Sequence, residues 1–120
     1  MSSLKEFGTI LEKYPPGFKI HLVHAAPSIS PGDRSEMSTE QLDSLIHFLQ
    51  RMEYLRQYAK ANGITVVEVE EEEDNLYGAG PEDHIVTAGC YGDICVATHT
   101  IFLTMNDINA VRDLDLCLVL

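Results

Sequence analysis

Two stretches, Phe18-Lys19-Ile20-His21-Leu22-Val23-His24 and Ile64-Thr65-Val66-Val67-Glu68-Val69-Glu70, decide the fold. The first alternates polar and apolar residues before turning more apolar, and the second alternates and is β-branched, so both read as strands. Between them Ser38-Thr39-Glu40-Gln41 has capping-box spacing and opens a helix to about Asn62. Its core stripe is Leu42, Leu45, Ile46, Leu49, Met52, Leu55 and Ala59, and Asn62-Gly63 supplies a left-handed stop. A strand, a helix and a second strand in one sheet imply a right-handed crossover and parallel strands.

Outward from this unit the signals are shorter. Residues 3–14 place Leu4, Phe7, Ile10 and Leu11 at helical spacing and meet a stop at Pro15-Pro16-Gly17. After the second strand, a loop over 74–83 holds Gly78, Gly80 and Pro81. Residues 84–91 and 94–105 read as a β-hairpin turning at Gly92-Asp93, followed by a helical turn over 106–113 and a terminal strand over 116–120. The expected architecture is α+β: a mixed sheet of about five strands with helices packed on it, forming one domain over 1–120. No linker, repeat or low-complexity stretch divides the chain.

The chain has 120 residues, 45 % of them apolar, which suits one folded core rather than disorder. Its net charge is −11, and that charge is unevenly spread. Residues 1–60 carry seven acids and seven bases, whereas residues 61–120 carry twelve acids and Arg112 alone as a base. An excess of carboxylates opposes direct nucleic-acid binding and anionic membrane surfaces. No apolar run reaches the roughly 20 residues needed to cross a bilayer, and the N-terminal residues lack the pattern of a secretory signal. Three cysteines make no disulfide framework. The expected location is cytoplasmic.

Several constellations of chemically active side chains stand out in the sequence. His21 and His24, three residues apart on a strand, point to opposite faces about 10 Å apart and cannot chelate one ion. The hairpin register would set Cys90 opposite Cys95, with Cα atoms about 4.5 Å apart, yet a reducing compartment leaves both as free thiols. His99, four strand residues beyond Cys95, would lie about 13 Å from it. On this register no metal site, no cofactor and no catalytic set is expected. Asp43, His47 and Arg51 follow one another at i+4 on the polar face of the long helix and read as surface stabilisation.

The functional expectation rests on the acidic segment. Glu68, Glu70, Glu71, Glu72, Glu73, Asp74, Glu82 and Asp83, with Leu76 and Tyr77 as apolar anchors, form a surface suited to a basic protein partner. The leading expectation is therefore a non-enzymatic acidic interaction module of the inhibitor, immunity or nucleic-acid-mimic kind. The alternative is a small-ligand-binding domain or small enzyme using the long loop at the C-terminal end of the first strand. There His24 is a candidate base, and Ser28, Ser30, Asp33, Arg34 and Ser35 are the polar groups. A homodimer through the apolar C-terminal strand is a further possibility.

Overall fold

The computed structural model describes residues 2–25 and 35–119. The elements are α1 (Ser2–Leu11), β1 (Lys19–Val23), α2 (Thr39–Ala61), β2 (Thr65–Val69), β3 (His84–Cys90), α3 (Cys95–Met105) and β4 (Asn109–Leu118). The four strands form one sheet in the order β2-β1-β3-β4, and every pairing is parallel. Helices on a sheet were expected. The mixed sheet of five strands is corrected to a parallel sheet of four.

The strand-helix-strand unit forms because its local signals agree. The Ser38 side chain accepts from the Gln41 N–H at 3.1 Å while the Gln41 side chain accepts from the Ser38 N–H at 3.1 Å, so the capping box closes in both directions. Gly63 follows the helix with φ +68°. The buried stripe of α2 is Leu45, Phe48, Leu49, Met52, Leu55 and Ala59; Phe48 takes an inward place, while Ile46 is 48 % exposed. This stripe packs with Phe7 and Leu11 of α1 against Ile20, Leu22, Val86 and Ala88 on one face of the sheet. The i+4 row on the polar face is only partly kept. Asp43 and His47 pair at 3.5 Å, but Arg51 turns to Glu6 and to the Asp115 carbonyl.

The second half corrects the hairpin. Residues 95–105 are helix α3, and of the residues 106–113 expected as a helical turn, 109–113 belong to strand β4. Alternating Thr98, Thr100 and β-branched neighbours suggest a strand, yet Val96, His99 and Leu103 are the buried positions. Their spacing of three and four places them on one helical face, and burial against the sheet overrides local β propensity. Val96 packs with Val23 and Val69, and Leu103 with Ile85 and Ile108, so α3 covers the face opposite α2. The C-terminal apolar run is absorbed in the same way. Leu116 lies in the main core and Leu118 packs on it, while Val119 remains 53 % exposed at the sheet edge.

No helix connects β2 to β3. Residues 70–83 instead run across the α3 face, with Leu76 and Ala79 packed on Ile85, Leu103 and Ile108. The two connections that leave the central strands diverge. From β1 the chain goes through α2 to β2 on one side, and from β3 through α3 to β4 on the other. The C-terminal ends of β1 and β3 are thus a topological switch point, the usual place for ligands in open parallel sheets.

At that point the two strands come very close. A Cβ on Gly89, whose φ is +122°, would sit 2.1 Å from the Val23 carbonyl oxygen. Gly89→Ala should therefore cost more than roughly 3 kcal/mol. Gly63→Ala, where no atom lies within 4 Å and only the left-handed backbone resists, should cost about 1–2 kcal/mol. Urea unfolding of both variants checks this, and equal losses would contradict the close approach.

Candidate functional site

His24 follows the last residue of β1 in the left-handed region, with φ 48°, and its N–H donates to the Val69 carbonyl at 3.1 Å. Its Nε2 lies 3.0 Å from Glu72 Oε2. Cys95, the first residue of α3, brings its thiol close to the same carboxylate. The imidazole nitrogen, carboxylate oxygen and sulfur all lie within 4.8 Å of one another. Among the described residues this is the one group of three side chains of metal-ligating type that the fold brings together. A hollow of about 290 Å³ at the opposite, N-terminal end of β3 and β4 is lined by Tyr14, Pro15, His84 and the start of β4, and gathers no such group.

A buried framework holds Glu72 in place. His99 Nδ1 lies 3.1 Å from the Glu72 carbonyl, which can only accept, so Nδ1 carries the proton. In neutral His99 the other nitrogen, Nε2, is then the acceptor, and it receives Nδ1–H of His21 at 2.9 Å. Both imidazoles are fully enclosed, their rings stacked with centroids 5.2 Å apart. The Tyr77 ring meets both edge-on, and its hydroxyl oxygen accepts from the N–H groups of Glu70 and Glu71 at 2.9 and 2.8 Å. The segment leading into Glu72 is therefore tied at its backbone from two sides.

The charges follow this geometry. Glu72 is held below the usual carboxylate range chiefly by its own backbone N–H; desolvation opposes this, and His24 and Cys95 add smaller lowering effects. Burial pushes the Cys95 thiol up, and the neighbouring Glu72 carboxylate adds to that. Cys90 and Cys117, pushed up to about 12 and about 11 chiefly by burial, are inert thiols deeper in the fold. All three cysteines are free, and the hairpin that would have faced Cys90 with Cys95 does not exist. With Cys95 on a helix rather than a strand, the register that excluded a metal site falls away.

The acidic segment divides into two groups. Glu68 is held by the Arg56 guanidinium at 2.9 and 2.7 Å, and the same guanidinium donates to the Ala25 carbonyl and pairs with Glu53. Asp83 accepts from the Gly80 N–H at 2.8 Å and pairs with Lys19 at 3.2 Å. With Glu72 in the cluster, these three carboxylates have inward duties. Glu70, Glu71, Glu73, Asp74 and Glu82 are exposed. Leu76 and Tyr77 are half-buried and packed inward, against Ile85 and Leu103 and against the two histidines respectively. Of the loop residues, Ser35 lies exposed ahead of α2, while Ser28, Ser30, Asp33 and Arg34 lie outside the described residues.

No family model, curated protein or solved structure matches the chain. Among the described residues no helix is long and apolar enough to cross a membrane.

Sequence reasoning placed His24 at a strand's C-terminal end but missed its partner Cys95. The signal was present in the helical spacing of Val96, His99 and Leu103.

Two outcomes are expected. Replacing the carboxylate by Glu72→Gln should lower the Cys95 pKa and speed its alkylation by iodoacetamide at neutral pH, by up to about tenfold for a shift of one unit. An unchanged or slower rate would contradict the contact. His21 is pushed down from 6.5 to about 4 by desolvation and then by His99 and Lys19. Between those values the unfolded chain takes up the proton and the folded one does not, so stability should fall as pH is lowered through that window. His21→Asn should flatten this part of the profile in urea unfolding; an identical slope in variant and wild type would sink the assignment.

Proposed function

We propose that the chain is a small-molecule-binding domain that works at the C-terminal edge of its sheet and takes a neutral or cationic polar ligand. The observation that carries this is the convergence of His24, Glu72 and Cys95 from three separate segments at the switch point between β1 and β3. Three polar groups of different chemistry on a rigid edge are the makings of a specific site. The ionised Glu72 carboxylate is a strong hydrogen-bond acceptor, which suits it to orient a donor group on a bound molecule. The exposed Glu70, Glu71 and Glu73 beside it disfavour anions and raise the local concentration of cations.

A melting-temperature screen of neutral, cationic and anionic metabolites tests this reading. A ligand present at about 100 times its Kd adds about 2.7 kcal/mol of stability, a rise of several degrees for a chain of this size. That rise is expected for a neutral or cationic compound and should disappear in His24→Gln and Glu72→Gln. Stabilisation by anions alone, or rises that survive both substitutions, would overturn it.

The exposed carboxylates Glu70, Glu71, Glu73, Asp74 and Glu82 favour a second reading, in which they dock a basic protein surface. In that case association should slow with rising salt and with charge reversal at Glu71 and Glu73. The engagement of Leu76 and Tyr77 within the fold weakens this reading, because it removes the two apolar anchors expected beside these carboxylates.

A further inference from the structure

We infer that His24, Glu72 and Cys95 form a binding site for a divalent transition-metal ion of the zinc class, with one coordination position left open. The inference deepens the reading of the edge as a ligand site and rests on it, since the open position is where a small neutral donor would enter.

The donor atoms come from the end of β1, the connection after β2 and the first turn of α3. Nε2, a carboxylate oxygen and Sγ stand within 4.8 Å of one another. Around a tetrahedral ion with bonds of about 2.0–2.3 Å, donors lie about 3.5 Å apart. A contraction of about an ångström therefore completes the set, and the partly exposed His24 and Glu72 side chains can supply it by rotation. One sulfur, one nitrogen and one oxygen is a borderline donor set. It suits zinc or cobalt and not calcium or magnesium, which take oxygen donors.

The protons and charges balance. In the metal-free site, the His24 Nε2 proton faces the Glu72 carboxylate and the protonated Cys95 thiol lies beside it. On binding, the thiol releases its proton to solvent and ligates as thiolate. In neutral His24 the single ring proton moves from Nε2, where it faced Glu72, to Nδ1, which frees the Nε2 lone pair to ligate, so the net release is one proton. Thiolate and carboxylate together neutralise a divalent ion. The ion thus takes the place of these two protons, and it supplies the positive charge that a thiol beside a carboxylate otherwise lacks. The surroundings are arranged for this. The Glu72 backbone is fixed by His99 and the turn before it by Tyr77, as outer contacts commonly orient a metal-ligating residue. The exposed Glu70, Glu71 and Glu73 add an attractive field for cations.

The test titrates the full chain, stripped with chelator and exchanged into clean buffer, with Co²⁺ alone. A thiolate-to-cobalt charge-transfer absorption should grow to one equivalent and be reversed by Zn²⁺. It should be absent in Cys95→Ser and retained in Cys117→Ser, and affinity should fall at least about tenfold in His24→Gln and in Glu72→Gln. Calorimetry in two buffers of different ionisation heat should find about one proton released per ion near neutral pH. His47→Gln controls for adventitious binding at the exposed Asp43–His47 pair. No absorption, absorption that survives Cys95→Ser, or binding lost in His47→Gln would overturn the inference. The metabolite screen run in chelator separates this from the ligand reading. A stabilising ligand found there without any cobalt binding would sink the metal site and leave the ligand site standing.

Discussion

The hydrogen bond between two buried imidazoles, His21 of β1 and His99 of α3, is the contact on which the arrangement of this molecule depends. A buried ring nitrogen without a partner is costly, and as neutral imidazoles these two rings satisfy each other only if their tautomers agree. His99 spends its second nitrogen on the Glu72 carbonyl, so the pair links the sheet, the second-face helix and the connection over 70–83. Tyr77, wedged against both rings, closes the same unit from above with two backbone N–H groups. A segment carrying five acids in a row is thereby anchored to the core by its backbone, while most of its side chains remain in water.

That anchoring explains why the acidic run is not a uniform surface. A solvated strand end would spread its carboxylates evenly. Here Glu68 holds Arg56 and through it the chain leaving β1, Asp83 holds Lys19, and Glu72 turns to His24 and Cys95. Such contacts contribute modestly to stability where they are exposed, about 0–1 kcal/mol each, so their significance is positional. They fix which carboxylate stands at the switch point between β1 and β3 and which face solvent.

The first half of the fold was legible because its signals are local and agree with one another. The Ser38 capping box, the α2 stripe and the Asn62-Gly63 stop are written in consecutive residues, and the parallel pairing of β1 with β2 follows from the crossover rule. The second half was not, because Thr98, Thr100 and Ile101 speak for a strand and only burial of Val96, His99 and Leu103 against the sheet decides for a helix. That error had consequences for the site. It placed Cys95 opposite Cys90 and put His99 about 13 Å from Cys95 along one strand, whereas one helical turn separates the two residues, which serve the same edge from different depths. His24 was legible as a strand-end residue with a chemical role to play. Its union with Glu72 and Cys95 depends on three segments distant in sequence, and no spacing rule reaches across them.

The most direct measurement is nuclear magnetic resonance of protein labelled with nitrogen-15 in its histidines. At neutral pH, His21 Nδ1 and His99 Nε2 should show scalar coupling through a shared proton, with both rings neutral. Absence of that coupling, with His21 showing the mixed tautomers of a solvated imidazole, would contradict the account.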